Sequence, residues 1–405
     1  MRKSGLCFAV LQCTLLLLAG GLQGQSGFVH TSGPALVDAS GKPLLLRGIN
    51  LGNWFVPEGY MFHLKGGPQS PREIEGLTKE LIGPEKAEAF WHAWRESYIT
   101  EPDLDRLKSE GFNSVRVPFH WKFFDSDDGE GFRLVDRLVQ WARKDGIYII
   151  LDMHCAPGGQ TGINIDDSWG YPWLFRIREA QEHTIAVWRR IAAHYSQEPI
   201  ILGYDLLNEP IPPFAHLDQY NKDLEPFYRR VAEAIRSVDR NHVLILGGAQ
   251  WDTNFKVFGP PFDPNVMYTF HRYWTSPDEA GIAEYLQFRQ QYNVPIWLGE
   301  SGENQEEWIA ALRKTLEATQ VGWCFWPYKK MDATTSVVSF DPPTHWKEIV
   351  KLAASPSATA DPQRRIAARP SPEDAQAIFD DLLSKIQFSS EHVNESYVRA
   401  LGLKP

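Results

Sequence analysis

Cysteine is scarce in this chain. Its 405 residues hold four, and two of them, Cys7 and Cys13, fall in the apolar N-terminal stretch. There is no C-x-x-C and no paired Cys/His spacing, so a zinc site has no support. Cys155 and Cys324 lie in strand-like apolar runs. They read as two buried thiols, with a disulfide open to an exported protein. Basic charge is also in deficit. Forty-one Lys and Arg face 51 Asp and Glu, a net charge of −10, whereas a nucleic-acid binder carries a basic face. Beyond the N-terminus no segment has 18 uninterrupted apolar residues, so no stable membrane span is expected in the mature chain. No G-x-G-x-x-G follows the first strand-like run, which counts against a doubly wound nucleotide-binding sheet. No G-x-S-x-G is present, which counts against a serine esterase. Internal repeats are absent.

Aromatics are plentiful: 15 Trp, 14 Tyr and 22 Phe. Such content builds either a large core or a groove whose rings stack on a flat ligand. The N-terminus has the order of a secretory signal. Met1-Arg2-Lys3 is followed by an apolar run from Leu6 to Ala19, then by Gly20, Gly21 and Gly24. Residues 1–24 are therefore expected to direct the protein to a secreted or periplasmic location. A membrane-anchoring helix is the alternative, although fourteen residues fall short of the roughly 20 that span a bilayer.

From Gly27 to Gly48 short apolar runs alternate with turn residues, the pattern of a β-hairpin. Eight apolar strands are then expected: Leu44–Asn50, Ser114–Pro118, Ile147–His154, Ile201–Asn208, Val243–Gly247, Met267–Tyr273, Ile296–Glu300 and Gly322–Trp326. Between them, Glu101–Glu110, Val135–Lys144, Ile185–Tyr195, Tyr220–Val238 and Glu306–Ala318 repeat apolar residues at helical spacing. Strand–helix alternation implies parallel strands with crossover helices. Eight units predict an α/β fold of the (β/α)8 barrel type over residues 25–354, with an open doubly wound sheet as the alternative. Two long insertions, 51–100 and 155–175, follow the first and third strands and so belong to the C-terminal face, where barrel active sites sit. Residues 355–372 read as a linker. Helices at Pro372–Gln387, with Ser371 as N-cap, and at Glu391–Leu401 would complete a tail over 355–405.

Polar residues close six of the strands: Arg116, then Asp152 and His154, then Asn208 and Glu209, then His271 and Tyr273, then Glu300, then Trp326. Glu209 ends strand four and Glu300 strand seven, so a closed barrel sets them across one mouth. Two carboxylates about 5 Å apart cleave an acetal with retention, one as nucleophile and one as acid then base. That division needs unequal surroundings. Arg116 and Tyr273 are placed to hold one carboxylate ionised, Asn208 to bond a sugar 2-hydroxyl, and Trp326 to form a stacking floor. Adjacent strand residues face opposite ways, so Asn208 and Glu209 both reach the mouth only where the strand ends or bulges. Pro210 supports an ending. Several further residues have two readings each. Asp152 either orients a neighbour or is a satisfied core acid. Asp166 and Asp167 either touch substrate or ride a solvated loop. His120 either lines the cleft or packs. Glu303 reads as a helix-start carboxylate.

At these positions the chain resembles glycoside hydrolase family 5, the cellulase-type retaining β-glycosidases. The matching residues, in order, are Arg116, His154, Asn208-Glu209-Pro210, His271 with Tyr273, Glu300 and Trp326. The resemblance covers roughly residues 28–353 and implies Glu209 as acid/base and Glu300 as nucleophile. Arg47–Trp54, Glu58, Trp94–Glu101 and His154–Gln160 look most like exo-β-1,3-glucanases, which would give Glu58 a sugar hydroxyl to bind. Val117–Trp121, the Asp166–Trp169 loop and Pro327–Lys330 depart from that subgroup. The expected function is a secreted, monomeric enzyme, read as a retaining hydrolase of a β-linked oligo- or polysaccharide, most simply a β-glucan, with no metal or organic cofactor. A glycolipid or short β-glycoside hydrolase, with an apolar groove supplied by the aromatic 51–100 insertion, is the alternative. A non-catalytic carbohydrate-binding barrel is remoter, since both glutamates are present.

Overall fold

A computed structural model describes residues 27–355 and 360–405. The signal expected over 1–24 lies outside the described residues. Eight parallel strands close a barrel: β1 (Arg47–Asn50), β2 (Ser114–His120), β3 (Tyr148–Cys155), β4 (Ile201–Asp205), β5 (Val243–Gly247), β6 (Val266–His271), β7 (Ile296–Glu300) and β8 (Gly322–Phe325). β8 pairs with both β7 and β1, which completes the ring. These strands are apolar runs because both faces are covered. One apolar set, including Ile150, Leu202, Ile245, Met267, Trp297 and Cys324, packs as its own cluster with Val29 and Leu36 of the hairpin. The alternate residues, such as Val115, Leu151, Leu244, Phe270 and Leu298, join the larger cluster shared with the helices. The period of two thus separates a barrel interior from a helix-facing layer. The hairpin pairs His30–Ser32 with Ala35–Val37, and its Val29 and Leu36 close the interior at the N-terminal end.

The helices are α1 (Pro71–Ile82), α2 (Pro84–Ser97), α3 (Glu101–Glu110), α4 (Glu130–Asp145), α5 (Arg178–Tyr195), α6 (Asn221–Arg236), α7 (Ala283–Tyr292), α8 (Glu306–Ala318) and α9 (Trp346–Ala353). Local chemistry sets their limits. Ser70 and Glu73 form a reciprocal capping box at α1, with Pro71 in its first turn. Gly111 ends α3 at φ 105°, a conformation suited to glycine.

Several expected limits change, among them strand six, which ends at His271 rather than Tyr273. Strand four stops at Asp205 rather than Asn208. Strand two runs past Pro118 to His120. The supposed linker contains a helix, α10 (Pro362–Ala368), and the chain beyond it packs on the barrel. There α11 (Pro372–Lys385) starts at Ser371, whose Oγ accepts from the Asp374 N–H at 3.1 Å. Phe379 of α11 meets Phe90 of α2 edge-on at 4.9 Å. His392 and Val393 then add a strand beside Val338–Ser339, before α12 (Glu395–Ala400). Glu391 pairs with the fully buried Lys329, which ties the tail to the loop after β8. Among the described residues no helix is long and apolar enough to cross a membrane.

Candidate active site

Arg116 sits at the centre of the C-terminal end of the barrel with no solvent exposure. Its Nε donates to Asp205 at 2.8 Å, Nη1 to Asn50 at 3.0 Å and to Glu300 at 2.5 Å, and Nη2 to Asn208 at 3.0 Å. Asp152 lies 3.1 Å from Nη2. Three carboxylates thus share one guanidinium. Burial drives the carboxyls of Asp152 up to about 7 and of Asp205 up to about 8, against the pull of Arg116. Glu300 spends one oxygen on Arg116 and receives the Tyr273 hydroxyl on the other, at 3.1 Å. Asn50 further pins the ring through Nδ2, which donates to the carbonyls of Gly299 and Phe325 at 3.1 Å each.

Glu209 is held differently. The ladder ends at Asp205, so Asn208 and Glu209 are free of strand alternation. Glu209 has φ 46° and Ile211 φ 59°, left-handed values that a β-branched residue rarely takes. The side chain of Glu209 is 21% exposed at the mouth, and one oxygen lies 3.0 Å from Nδ1 of His271. Desolvation raises its carboxyl to about 7, opposed by His154 and Arg116. His271 is buried and pushed down to about 3, so its ring is neutral at ordinary pH. It fits because residue 299 is glycine: a Cβ there would stand 2.2 Å from Thr269 Oγ1 and 3.0 Å from His271 Nε2. One oxygen each of Glu209 and Glu300 lie, with a His271 nitrogen, within 4.8 Å of one another. These three could offer ligand atoms to a cation, but Arg116 already supplies a fixed positive charge to Glu300.

The floor is aromatic. Trp326 is buried, its ring nearly parallel to His154 at 5.7 Å, and its Nε1 donates to Tyr60 at 2.6 Å. His154, pushed down to about 4 by burial, meets Asp152 through Nδ1 at 2.8 Å. Asp152 is thus an orienting group rather than a merely satisfied core acid. Glu58 is buried with Oε1 unpartnered, 3.9 Å from His154 Nε2. Burial first, then Glu300 and Glu209, push its carboxyl well up.

All nine expected site residues therefore meet at one mouth. The others resolve as follows. Asp166 is a buried loop knot that accepts from the N–H groups of Gln160, Thr161 and Ser168. Asp167 pairs with His120 at 3.1 Å. Glu303 is not a helix-start residue, since α8 begins at Glu306; it sits at φ 50° and accepts from Lys330 at 2.8 Å. Three buried polar groups of the centre were not among the expected ones: Asn50, Asp205 and Asp252. Reading the end of strand one points to Asn50, and a lone acid inside the apolar run Ile201–Leu207 points to Asp205. Asp252 lies in a turn that leaves no pattern in the sequence.

The family model for cellulase, glycosyl hydrolase family 5, matches residues 77–332. The chain belongs to glycosyl hydrolase family 5. A β-xylosidase of Phanerodontia chrysosporium is 32% identical over 293 residues, covering 70% of this chain and 59% of that protein. A glucan 1,3-β-glucosidase of Candida oleophila is 30% identical, covering 56% of this chain and 58% of its own length. The chain thus spans about three fifths of these two relatives. A rutinosidase of Aspergillus niger shares the fold, with TM-score 0.58, 19% identity and coverage of 71% of this chain and 90% of that one. Within family 5, the ordered polar strand ends are where the sequence resemblance and the geometry coincide.

Proposed function

We propose that this protein is a retaining β-glycosidase, with Glu300 as nucleophile and Glu209 as acid/base. The observation that carries the reading is the pair itself. An oxygen of Glu209 and one of Glu300 stand within 4.8 Å, near the roughly 5–5.5 Å carboxyl separation of retaining sites and short of the roughly 6.5–9.5 Å that leaves room for an inverting water. Arg116 and Tyr273 donate to the two oxygens of Glu300 and aim it at the mouth. A Glu209 carboxyl raised to about 7 keeps its proton in mild acid. In the first step Glu300 bonds to C1, the C1–O bond breaks, and the Glu209 proton goes to the departing oxygen. In the second, water attacks C1, gives its proton to Glu209, and frees Glu300.

Trp326 offers a flat face to the sugar ring, and Glu58 an unpartnered oxygen to a hydroxyl. The substrate proposed is a β-linked glucose polymer. A β-xyloside is favoured as a second reading by the Phanerodontia relative, since xylose carries the same ring hydroxyls and lacks only the hydroxymethyl arm. The aromatic insertion offers little support to an apolar-aglycone reading: Trp54, Phe55, Phe62, Phe90, Trp91 and Trp94 are core, and Tyr60 alone among its expected rings is exposed. Exposed rings at the mouth come instead from Trp169 and Trp274, each 72% exposed. The signal-like start further supports export.

The test is product release from β-1,3-glucan, β-1,4-glucan, mixed-linkage glucan, mannan and xylan, with the anomer of the first product followed by proton NMR. A β-anomer formed first from a glucan supports the reading. An α-anomer, or no release from any polymer or aryl β-glycoside, would falsify it.

A further inference from the structure

Asp252 is fully buried, nine residues past the start of β5, and belongs to no expected feature. It ends the turn Gln250–Asp252, in which three consecutive non-glycine residues have left-handed φ of 52°, 57° and 59°. Such a conformation is unfavourable for a residue with a Cβ and persists only where its surroundings impose it. The turn faces the equally strained segment of Glu209 and Ile211. The Trp251 N–H donates to the Ile211 carbonyl at 3.2 Å, and its indole N–H to Thr161 at 3.0 Å. Asp252 Oδ2 accepts the backbone N–H of Glu209 at 3.0 Å. The same oxygen lies 3.4 Å from Nε2 of His271, a buried nitrogen that makes no hydrogen bond. The opposite nitrogen of that ring, Nδ1, faces the Glu209 carboxyl at 3.0 Å. Gly247 leaves room for the arrangement, since a Cβ there would fall 1.9 Å from Asp252 Oδ1.

We propose that Asp252 is the positioning residue of the acid/base: it anchors the Glu209 backbone and faces Nε2 of His271, favouring the tautomer that keeps the ring proton on Nε2, so that Nδ1 presents a lone pair to protonated Glu209. The inference rests on the reading of Glu209 as acid/base. A neutral imidazole carries one proton. With Nε2–H aimed at Asp252, Nδ1 accepts from the Glu209 carboxylic acid and keeps its proton oriented in the mouth. The other tautomer would aim N–H at Glu209 and favour its ionised, non-acidic form. Burial, with Asp205 and Glu209 nearby, pushes the Asp252 carboxyl well up. Protonated on Oδ1, it still offers Oδ2 as acceptor.

The experiment measures kcat/KM on phenyl and 2,4-dinitrophenyl β-glucosides, with the matching β-xylosides in parallel. Phenolate needs a proton to leave and dinitrophenolate does not, so an acid defect shows as a split between the two. Asp252→Ala should lose on the order of 10- to 100-fold on the phenyl glycoside and less than about threefold on the dinitrophenyl one. Asp252→Asn, which keeps an acceptor and tolerates left-handed φ, should recover most of the loss. Asp252→Gly removes the acceptor while easing the backbone, and serves if the alanine variant fails to fold. Equal losses on both substrates, or an asparagine variant no better than alanine, would overturn the proposal. Glu209→Ala is the control. Its failure to split the substrates would instead overturn the acid/base reading.

Discussion

The two halves of the mouth hold the same kind of residue in opposite ways. Glu300 stands at the end of a strand, tied to a buried guanidinium and a tyrosine hydroxyl. Glu209 stands on a left-handed turn, with no cation in direct contact, beside a neutral imidazole and partly open to solvent. One setting gives the proposed nucleophile two fixed hydrogen-bond donors. The other favours a carboxyl that keeps its proton until a leaving group takes it. Surroundings rather than residue type divide the labour.

The strongest way to break this comparison is to remove the proposed nucleophile. Glu300→Ala should lower kcat by on the order of 10⁴- to 10⁶-fold with thermal unfolding little changed; surviving turnover would end the assignment. Glu209→Ala should cost about 10²- to 10⁴-fold on phenyl glycosides but far less on dinitrophenyl ones, and added azide should yield a β-glycosyl azide. Arg116→Met leaves three buried carboxylates without their cation, and urea unfolding should report a loss of about 3–5 kcal/mol; an unaltered midpoint would show that Arg116 is not what organises the Glu300 side. The pH profile sharpens the contrast. Glu209 must be protonated to act, so kcat/KM on phenyl glycosides should fall as pH rises through about 7. The dinitrophenyl profile should stay flat there, and a fall in both would move that titration to another group. The smallest effect belongs to the floor they share. Trp326→Ala should raise KM roughly three- to tenfold by loss of stacking, with kcat less affected.

Alternation within strands made much of this site legible. Asp152 and His154 share a parity with interior Ile150, and His271 with Met267, so a polar residue in that register had to point into the barrel, while Arg116 alternates with Val115 and Val117 of the helix-facing layer. Strand counting likewise located the eight barrel strands, apart from their ends. The tail was less legible. Residues 355–372 look like a linker because Ala, Ser, Pro and Arg carry no periodic apolar face, yet Asp361 caps a helix there and Arg365 finds Glu80 across the fold. The aromatic insertion could equally have lined a groove or filled a core; packing against α11 and the barrel made it core.

The sequence by itself determined the barrel and pointed to the two glutamates, because period-two and helical spacing are local and polar strand ends stand out against apolar runs. Only the tertiary structure decided how those glutamates differ. Glu300 meets Arg116 from a strand 184 residues away, and the Glu209 N–H meets Asp252 on another loop. Contacts of that range come from ring closure and strained turns, which leave no periodic trace along the chain.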